Sequence, residues 1–246
     1  MNEHPYRKKW GQNFIQDQNI IKKIITVINP GKNDRIIEIG PGKGALTEHL
    51  LNLKKITAIE IDPLLCSYLK GKIDSRLNLI NDDILNIKLD NYSNYNKIIG
   101  NLPYYITTPI IFKFLDNPFW DEAIFMVQKE VADRIVAIPG NKIYGRLSVM
   151  TQVKANIKKE FNISKNIFYP KPKVDSSLIR ITIKKSNNVK DFDVFSKIVK
   201  ESFGKRRKML KNSLKDIVPI SAYIDYINKR PEQLNVNDFI QISNNI

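Results

Sequence analysis

Short apolar runs at 35–39, 56–61, 77–81, 97–100 and 123–127 punctuate the first half of the chain. Helix-compatible segments around 45–53, 64–73, 109–116 and 129–138 follow four of them, and a polar connection follows the third. Strands that alternate with helices in this way predict a mainly parallel sheet covered on both faces. Upstream, residues 1–16 read as irregular and basic. Asp17 is then placed to cap a helix whose Ile20, Ile21, Ile24, Ile25 and Ile28 recur at helical spacing until Pro30-Gly31 stops it. Beyond the fifth run, 148–155 reads as another helix, and 159–163 and 177–183 as late strands completing the sheet. Polar Lys184-Lys185-Ser186-Asn187-Asn188 marks a linker. From 192 to 242 only helical patterns remain, which predicts a small domain of three or four short helices. The expectation is an α/β domain over residues 1–185 and an all-helical one over 186–246.

Composition adds a partner. The 246 residues, 42% hydrophobic, suffice for one good core and a small second module. Forty Lys and Arg against 25 Asp and Glu leave a net charge of +15, which points to a polyanion, although a general abundance of Lys, Ile and Asn accounts for part of it. The single cysteine, Cys66, excludes an internal disulfide and a cysteine metal cluster and reads as a small buried hydrophobe. His4 and His49 are too few and too far apart to suggest a metal. No apolar run reaches transmembrane length and the N-terminus lacks an apolar signal core, so a cytoplasmic protein is expected.

Candidate chemistry gathers at the ends of the expected strands. Glu38-Ile39-Gly40-Pro41-Gly42-Lys43-Gly44 follows the first run and precedes a helix, where closely spaced glycines let backbone approach a ligand. Read as Gly40-x-Gly42-x-x-Ala45, with Glu60 standing 20 residues beyond Gly40, it nearly satisfies a dinucleotide fingerprint, and a nicotinamide dehydrogenase is a competitor at this point. Asp82-Asp83 after the third run and Asn101-Leu102-Pro103-Tyr104 after the fourth change the picture, because they put polar groups at four successive strand ends. One extended ligand would use the glycine loop for an amino-acid end, Glu60 for two ribose hydroxyls and Asp83 for an adenine amine. S-adenosylmethionine has that shape. The four residues from Asn101 supply what methylation of an exocyclic base nitrogen needs. The Asn101 side-chain oxygen and the Leu102 carbonyl each accept one N6 hydrogen, which localises a lone pair otherwise delocalised into the ring. Leu102 precedes proline and is held extended, and Tyr104 offers a face for a flipped-out base.

Over nearly its whole length the chain resembles the family of small-subunit (16S) ribosomal RNA adenine N6,N6-dimethyltransferases. The resemblance rests on Gly11-Gln12-Asn13-Phe14, the glycine loop, Asn101-Leu102-Pro103-Tyr104, Gln128-Lys129-Glu130-Val131-Ala132-Asp133-Arg134, Tyr144-Gly145-Arg146-Leu147-Ser148, Phe168-x-Pro170-x-Pro172-Lys173-Val174-Asp175-Ser176 and Phe203-Gly204-Lys205-Arg206-Arg207-Lys208. It implies a Rossmann-like class I methyltransferase fold with a mainly parallel seven-stranded sheet, plus a small helical domain contacting RNA. It also implies transfer of methyl groups from S-adenosylmethionine to two adjacent adenines near the RNA 3′ end, with a part in small-subunit biogenesis and monomeric action. Asn13 and Ile15 would cover the cofactor, Gly40 meet its methionine part, Glu60 its ribose and Asp83 its adenine, with Asp82 competing for the last role. Asn101 would lie between cofactor and base, and Tyr104 with Phe168 would sandwich the flipped adenine, unless Phe168 is a core anchor. Tyr105 departs from the small polar residue of many relatives, and the helical tail is short. Residues 7–9 and 205–211 are candidates for phosphate contacts, against the alternative of solvated helix faces. Two rival readings remain, an adenine dimethylase of large-subunit (23S) RNA and a ribosome-assembly factor in which catalysis is secondary. The segment from Pro170 to Ser176 and the run 203–208 favour the small-subunit enzyme.

Overall fold

The structure is a computed structural model that describes residues 10–51, 53, 55–73 and 75–246. The basic segment 7–9 lies outside these. In chain order the elements are β1 (Phe14–Ile15), α1 (Gln18–Ile28), β2 (Arg35–Ile39), α2 (Thr47–Leu50), β3 (Lys55–Glu60), α3 (Pro63–Lys72), β4 (Leu77–Asn81), β5 (Lys97–Asn101), α4 (Thr107–Leu115), β6 (Glu122–Gln128) and α5 (Lys129–Ile135). They continue with α6 (Arg146–Gln152), β7 (Ala155–Ile163), β8 (Phe168–Tyr169), β9 (Ser176–Ile183), α7 (Phe192–Gly204), α8 (Leu210–Ser213) and α9 (Val236–Asn244). The chain divides into two compact units: one holds the described residues through Ala132 together with Lys158–Ile183, the other Asp133–Ile157 and Lys184–Ile246. The last of the three changeovers, at 183/184, falls beside the expected boundary at 185/186. Residues 133–157, expected in the first domain, cluster with the helical unit.

The first unit is built on a seven-stranded sheet of order β4-β3-β2-β5-β6-β9-β7. β4, β3, β2, β5 and β6 pair in parallel, and β9 runs antiparallel to β6. Alternation along each strand divides the apolar residues between two faces. Ile36, Ile56, Ile99, Ile124 and Leu178 join one core cluster with Ile21, Ile24 and Ile28 of α1, while their neighbours Ile37, Ile98 and Phe125 are fully buried as well. Each such isoleucine contributes about 1.5–3 kcal/mol by leaving water. α1 begins where Asp17 accepts hydrogen bonds from the Asn19 and Ile20 backbone. It ends one residue before the Pro30-Gly31 stop, at Asn29 in the left-handed region (φ 44°), whose N–H reaches the Ile25 carbonyl.

Two features differ from the pattern-based expectation. The run 148–155 divides, with α6 stopping at Gln152 and β7 starting at Ala155; Ala155 and Ile157 continue the in-and-out alternation of a strand. The pair β1 and β8, antiparallel with Phe14 opposite Tyr169 and Ile15 opposite Phe168, has no counterpart in the periodicity because two residues carry no period.

In the second unit α7 is capped by Asp191, which accepts from the Asp193 and Val194 backbone. It buries Phe195, Ile198 and Val199. The Tyr144 ring meets Phe203 edge-on and Phe203 tilts against Phe239, with centroids 6.0 and 5.7 Å apart. Asn235 and Asp238 close a reciprocal cap at the start of α9.

Candidate active site

A cavity opens in the first unit across the C-terminal ends of β2, β3, β4 and β5, the edge at which open parallel sheets bind ligands. After β2 the chain turns through Gly40 (φ 63°) and Gly42 (φ 58°), a left-handed path that side chains resist. A Cβ on Gly42 would stand 3.0 Å from the Phe14 ring. Two carboxylates hold this loop. Glu60, buried at the end of β3, accepts from the Gly42 N–H at 3.2 Å and the Asp62 N–H at 3.0 Å, and burial raises its pKa. Glu38, only 2% exposed, accepts from the Thr47 hydroxyl at 2.7 Å. Burial pushes Glu38 up to about 7, and the charge of Glu60 adds to the rise.

Asp62 caps α3 through the Leu64 N–H at 3.0 Å, and its other oxygen accepts from the Gln12 amide at 2.8 Å. Past β4, Asp82 is exposed and Asp83 half-buried. Asp82 accepts from the Asp83 N–H at 2.7 Å, while Asp83 accepts from the Leu85 N–H at 2.9 Å. Both line the cavity.

The corner at the end of β5 is fixed on several sides. The Asn101 amide nitrogen donates to the Asn13 carbonyl at 2.8 Å. A backbone carbonyl can only accept, so the amide must present nitrogen to it, and the side-chain oxygen is turned the other way. The Leu102 N–H donates to the Met126 carbonyl at 3.0 Å, anchoring the following turn to β6. The Pro103 carbonyl accepts from the Ile106 N–H at 3.2 Å and the Thr107 hydroxyl at 3.0 Å. Half-buried Tyr104 shares a hydrogen bond of 2.8 Å with the Ser176 hydroxyl, and burial pushes its phenol up. Above the cavity, residues 10–16 form a strap: Gln12 is tied to Asp62, Asn13 to Asn101, and the Gln16 N–H to the Ile167 carbonyl at 3.0 Å.

Asn13, Ile15, Gly40, Glu60, Asp83, Asn101 and Leu102 therefore come together around one cavity. Tyr104 and Phe168 are not among the residues that line it. Phe168 is 4% exposed and belongs to the core cluster, the anchoring position, and the aromatic that the same segment presents to the cavity is Tyr169. The reason is the strand pairing with β1, which sends successive side chains to opposite faces. The sequence reading included Glu38 and Gln12 in its motifs without giving either a role, and missed Asp62. For Asp62 a signal was present, since Asp62-Pro63 is the cap and first-turn proline of a helix start. Glu38 gave none, because its partner Thr47 is nine residues away. In the helical unit Arg206 donates to Glu232 at 2.7 Å and to the Asn141 carbonyl at 3.4 Å, whereas Lys205, Arg207 and Lys208 are exposed. No group of metal-ligating side chains occurs among the described residues, and no helix among them is long and apolar enough to cross a membrane.

A mainly parallel seven-stranded sheet with a glycine loop and carboxylates at successive strand ends defines the Rossmann-like class I methyltransferase architecture. Residues 3–245 match the family described as ribosomal RNA adenine dimethylase, and the chain belongs to that family. It is 42% identical over 253 residues to ribosomal RNA small subunit methyltransferase A of Francisella tularensis subsp. novicida (strain U112), covering 97% of this chain and 96% of the relative. The protein of the same name from Legionella pneumophila (strain Lens) is 41% identical over 249 residues, covering 98% and 97%. Among solved structures, a dimethyladenosine transferase from Plasmodium falciparum superposes with a TM-score of 0.83 at 27% identity, over 93% of this chain and 95% of that one. The 23S rRNA methyltransferase ErmE shares the fold, with a TM-score of 0.73 at 24% identity, over 94% of this chain and 100% of that one. Family membership sets aside the dehydrogenase reading of the glycine loop.

Proposed function

We propose that the protein transfers methyl groups from S-adenosylmethionine to N6 of two adjacent adenines near the 3′ end of small-subunit (16S) ribosomal RNA, giving N6,N6-dimethyladenosine in the immature subunit. The observation that carries this reading is the Asn101 amide, held by the Asn13 carbonyl so that its oxygen is available to a base amine. The donor set fits the cofactor. Backbone at Gly40 and Gly42 has the left-handed path of a close-approach loop, and buried Glu60 is an acceptor suited to ribose hydroxyls. Asp83 is preferred over Asp82 for the adenine amine because it is the more buried of the two. Asn13 and Ile15 cover the site from the strap. When bound, the cofactor supplies an electrophilic methyl on a positively charged sulfonium and leaves as a neutral thioether.

The chain's own residues then position and polarise. The Asn101 oxygen and the Leu102 carbonyl each accept an N6 hydrogen, aiming the nitrogen lone pair at the methyl. No strong base is required, since the nitrogen becomes acidic once alkylated. After the first transfer one hydrogen remains, so the amine turns about its bond to the ring and is held by one of the two acceptors. Tyr104, fixed through Ser176, offers its ring to the flipped base, and Tyr169 is the second ring from the neighbouring segment. Phe168 supports that segment from the core. Exposed Lys205, Arg207 and Lys208 meet RNA phosphates.

The test is to incubate the protein with labelled S-adenosylmethionine and separated, unmodified small and large ribosomal subunits, then map the modified adenines. Dimethylation of two adjacent adenines in small-subunit RNA is expected. Label in large-subunit RNA alone would overturn the assignment in favour of the other dimethylase class.

A further inference from the structure

Tyr105 is a cavity-lining residue that the reaction described above leaves without a role. It is 57% exposed, so much of the side chain stays open to solvent or to a ligand. The strap rests against it: a Cβ built on Gly11 (φ 60°) would lie 3.5 and 3.6 Å from the ring atoms Cδ1 and Cε1, so the ring meets the strap at a residue that carries no side chain. That backbone is itself held. The Gly11 carbonyl accepts from the Asn13 amide at 3.0 Å, and neighbouring Gln12 donates to buried Asp62 at 2.8 Å. Tyr105 lines the same cavity as Asp83, and burial together with the Asp83 charge pushes its phenol up. Strap backbone thus lies against the ring, and the carboxylate assigned to adenine stands in electrostatic reach of it.

We propose that Tyr105 is a cofactor-positioning residue whose ring walls the adenine end of the cavity and supports the strap at Gly11. The inference rests on the reading that Asp83 receives the adenine of S-adenosylmethionine. An aromatic wall encloses a planar base by stacking or edge contact, and the ring rather than the hydroxyl supplies that surface. A small side chain at 105 leaves this end open and removes the surface against which the strap closes.

The experiment compares wild type, Tyr105→Ala, Tyr105→Phe and Asp83→Ala. S-adenosylhomocysteine is titrated by calorimetry, and KM and kcat are measured with S-adenosylmethionine and unmethylated small subunits. Tyr105→Ala is expected to weaken S-adenosylhomocysteine about tenfold and to raise the KM for S-adenosylmethionine by a similar factor, the loss falling on KM more than on kcat. Tyr105→Phe should restore both to within about twofold of wild type, as expected when the ring carries the contact. The inference is overturned alone if Asp83→Ala weakens binding and Tyr105→Ala does not. It is equally overturned if Tyr105→Phe is as impaired as Tyr105→Ala, or if the loss falls on the KM for RNA. Failure of the wild type to bind S-adenosylhomocysteine, or no effect of Asp83→Ala, removes the cofactor assignment, and this inference falls with it.

Discussion

Gly100→Ala is the substitution for which the structure gives the clearest magnitude. A Cβ at this position would lie 2.7 Å from the Ile39 carbonyl oxygen, 3.1 Å from the Ile39 Cβ and 3.2 Å from the Leu102 Cδ2. The closest of these is backbone in the paired strand, since Ile39 stands opposite Gly100 in the β2·β5 register. No rotamer change relieves it. A carbon and a carbonyl oxygen settle at about 3.3–3.6 Å, so the strands must separate by roughly 0.6 Å or more at the point where both deliver their site residues. Overpacking of this kind costs about 1–3 kcal/mol, and at about 2–4 °C per kcal/mol in a domain of this size the melting temperature should fall by roughly 2–12 °C. Asn101 is the next residue, and misplacement by about 1 Å costs about 10²-fold in rate, so a shift near half that should lower single-turnover methyl transfer about tenfold. Differential scanning fluorimetry and single-turnover transfer at saturating cofactor read the two effects. Gly71→Ala is the control: nothing lies within 4 Å of its added Cβ, and in a helix it should stabilise by about 0.5–1 kcal/mol. A Gly100→Ala protein that melts with wild type and transfers at the same rate would refute the reasoning about the strand ends.

Glu38→Gln tests the buried carboxyl. The group moves from 4.5 to about 7 on folding, so the fold favours the protonated form, and the stability it contributes is present below about pH 4.5 and lost as pH rises to about 7. The variant keeps an acceptor for Thr47 and does not ionise. Urea midpoints should show it gaining on wild type by up to about 3 kcal/mol between pH 5 and 8; a constant difference across that range would count against the buried acid. In the helical unit, Arg207→Ala should flatten the salt dependence of RNA binding by about one phosphate contact with little change in melting temperature. Arg206→Ala, which releases Glu232, should lower melting temperature and leave the salt slope nearly unchanged; the reverse assignment would contradict the proposed division of labour.

The strands and their ends were legible because they carry long, regular signals. β2 and β4 occupy the expected residues, and Asp17 caps α1 as its position before a helical period predicts. That Glu60, Asp83 and Asn101 share one edge was legible because a parallel sheet delivers successive strand ends there. What was not legible depends on contacts far apart in sequence. Phe168 is in the core and Tyr169 at the cavity because a two-residue strand pairs with Phe14 and Ile15, and a pair so short leaves no alternation to read. The strap's ties from Gln12 to Asp62 and from Asn101 to Asn13 span 50 and 88 residues. Residues 133–157 cluster with the helices of the second unit through packing, such as the Tyr144 ring against Phe203, that no local periodicity encodes.

The central claim is that Asn101, oriented by the strap, polarises the base amine and does little to hold the cofactor. It is tested most directly by the rate of methyl transfer to unmethylated small subunits by Asn101→Ala at saturating S-adenosylmethionine. Removal of a preorganised polar group at the reacting centre should cost about 10²–10³-fold in that rate, with cofactor affinity nearly intact. Transfer within a few-fold of wild type, or a loss of rate matched by an equal loss of cofactor affinity, would contradict it.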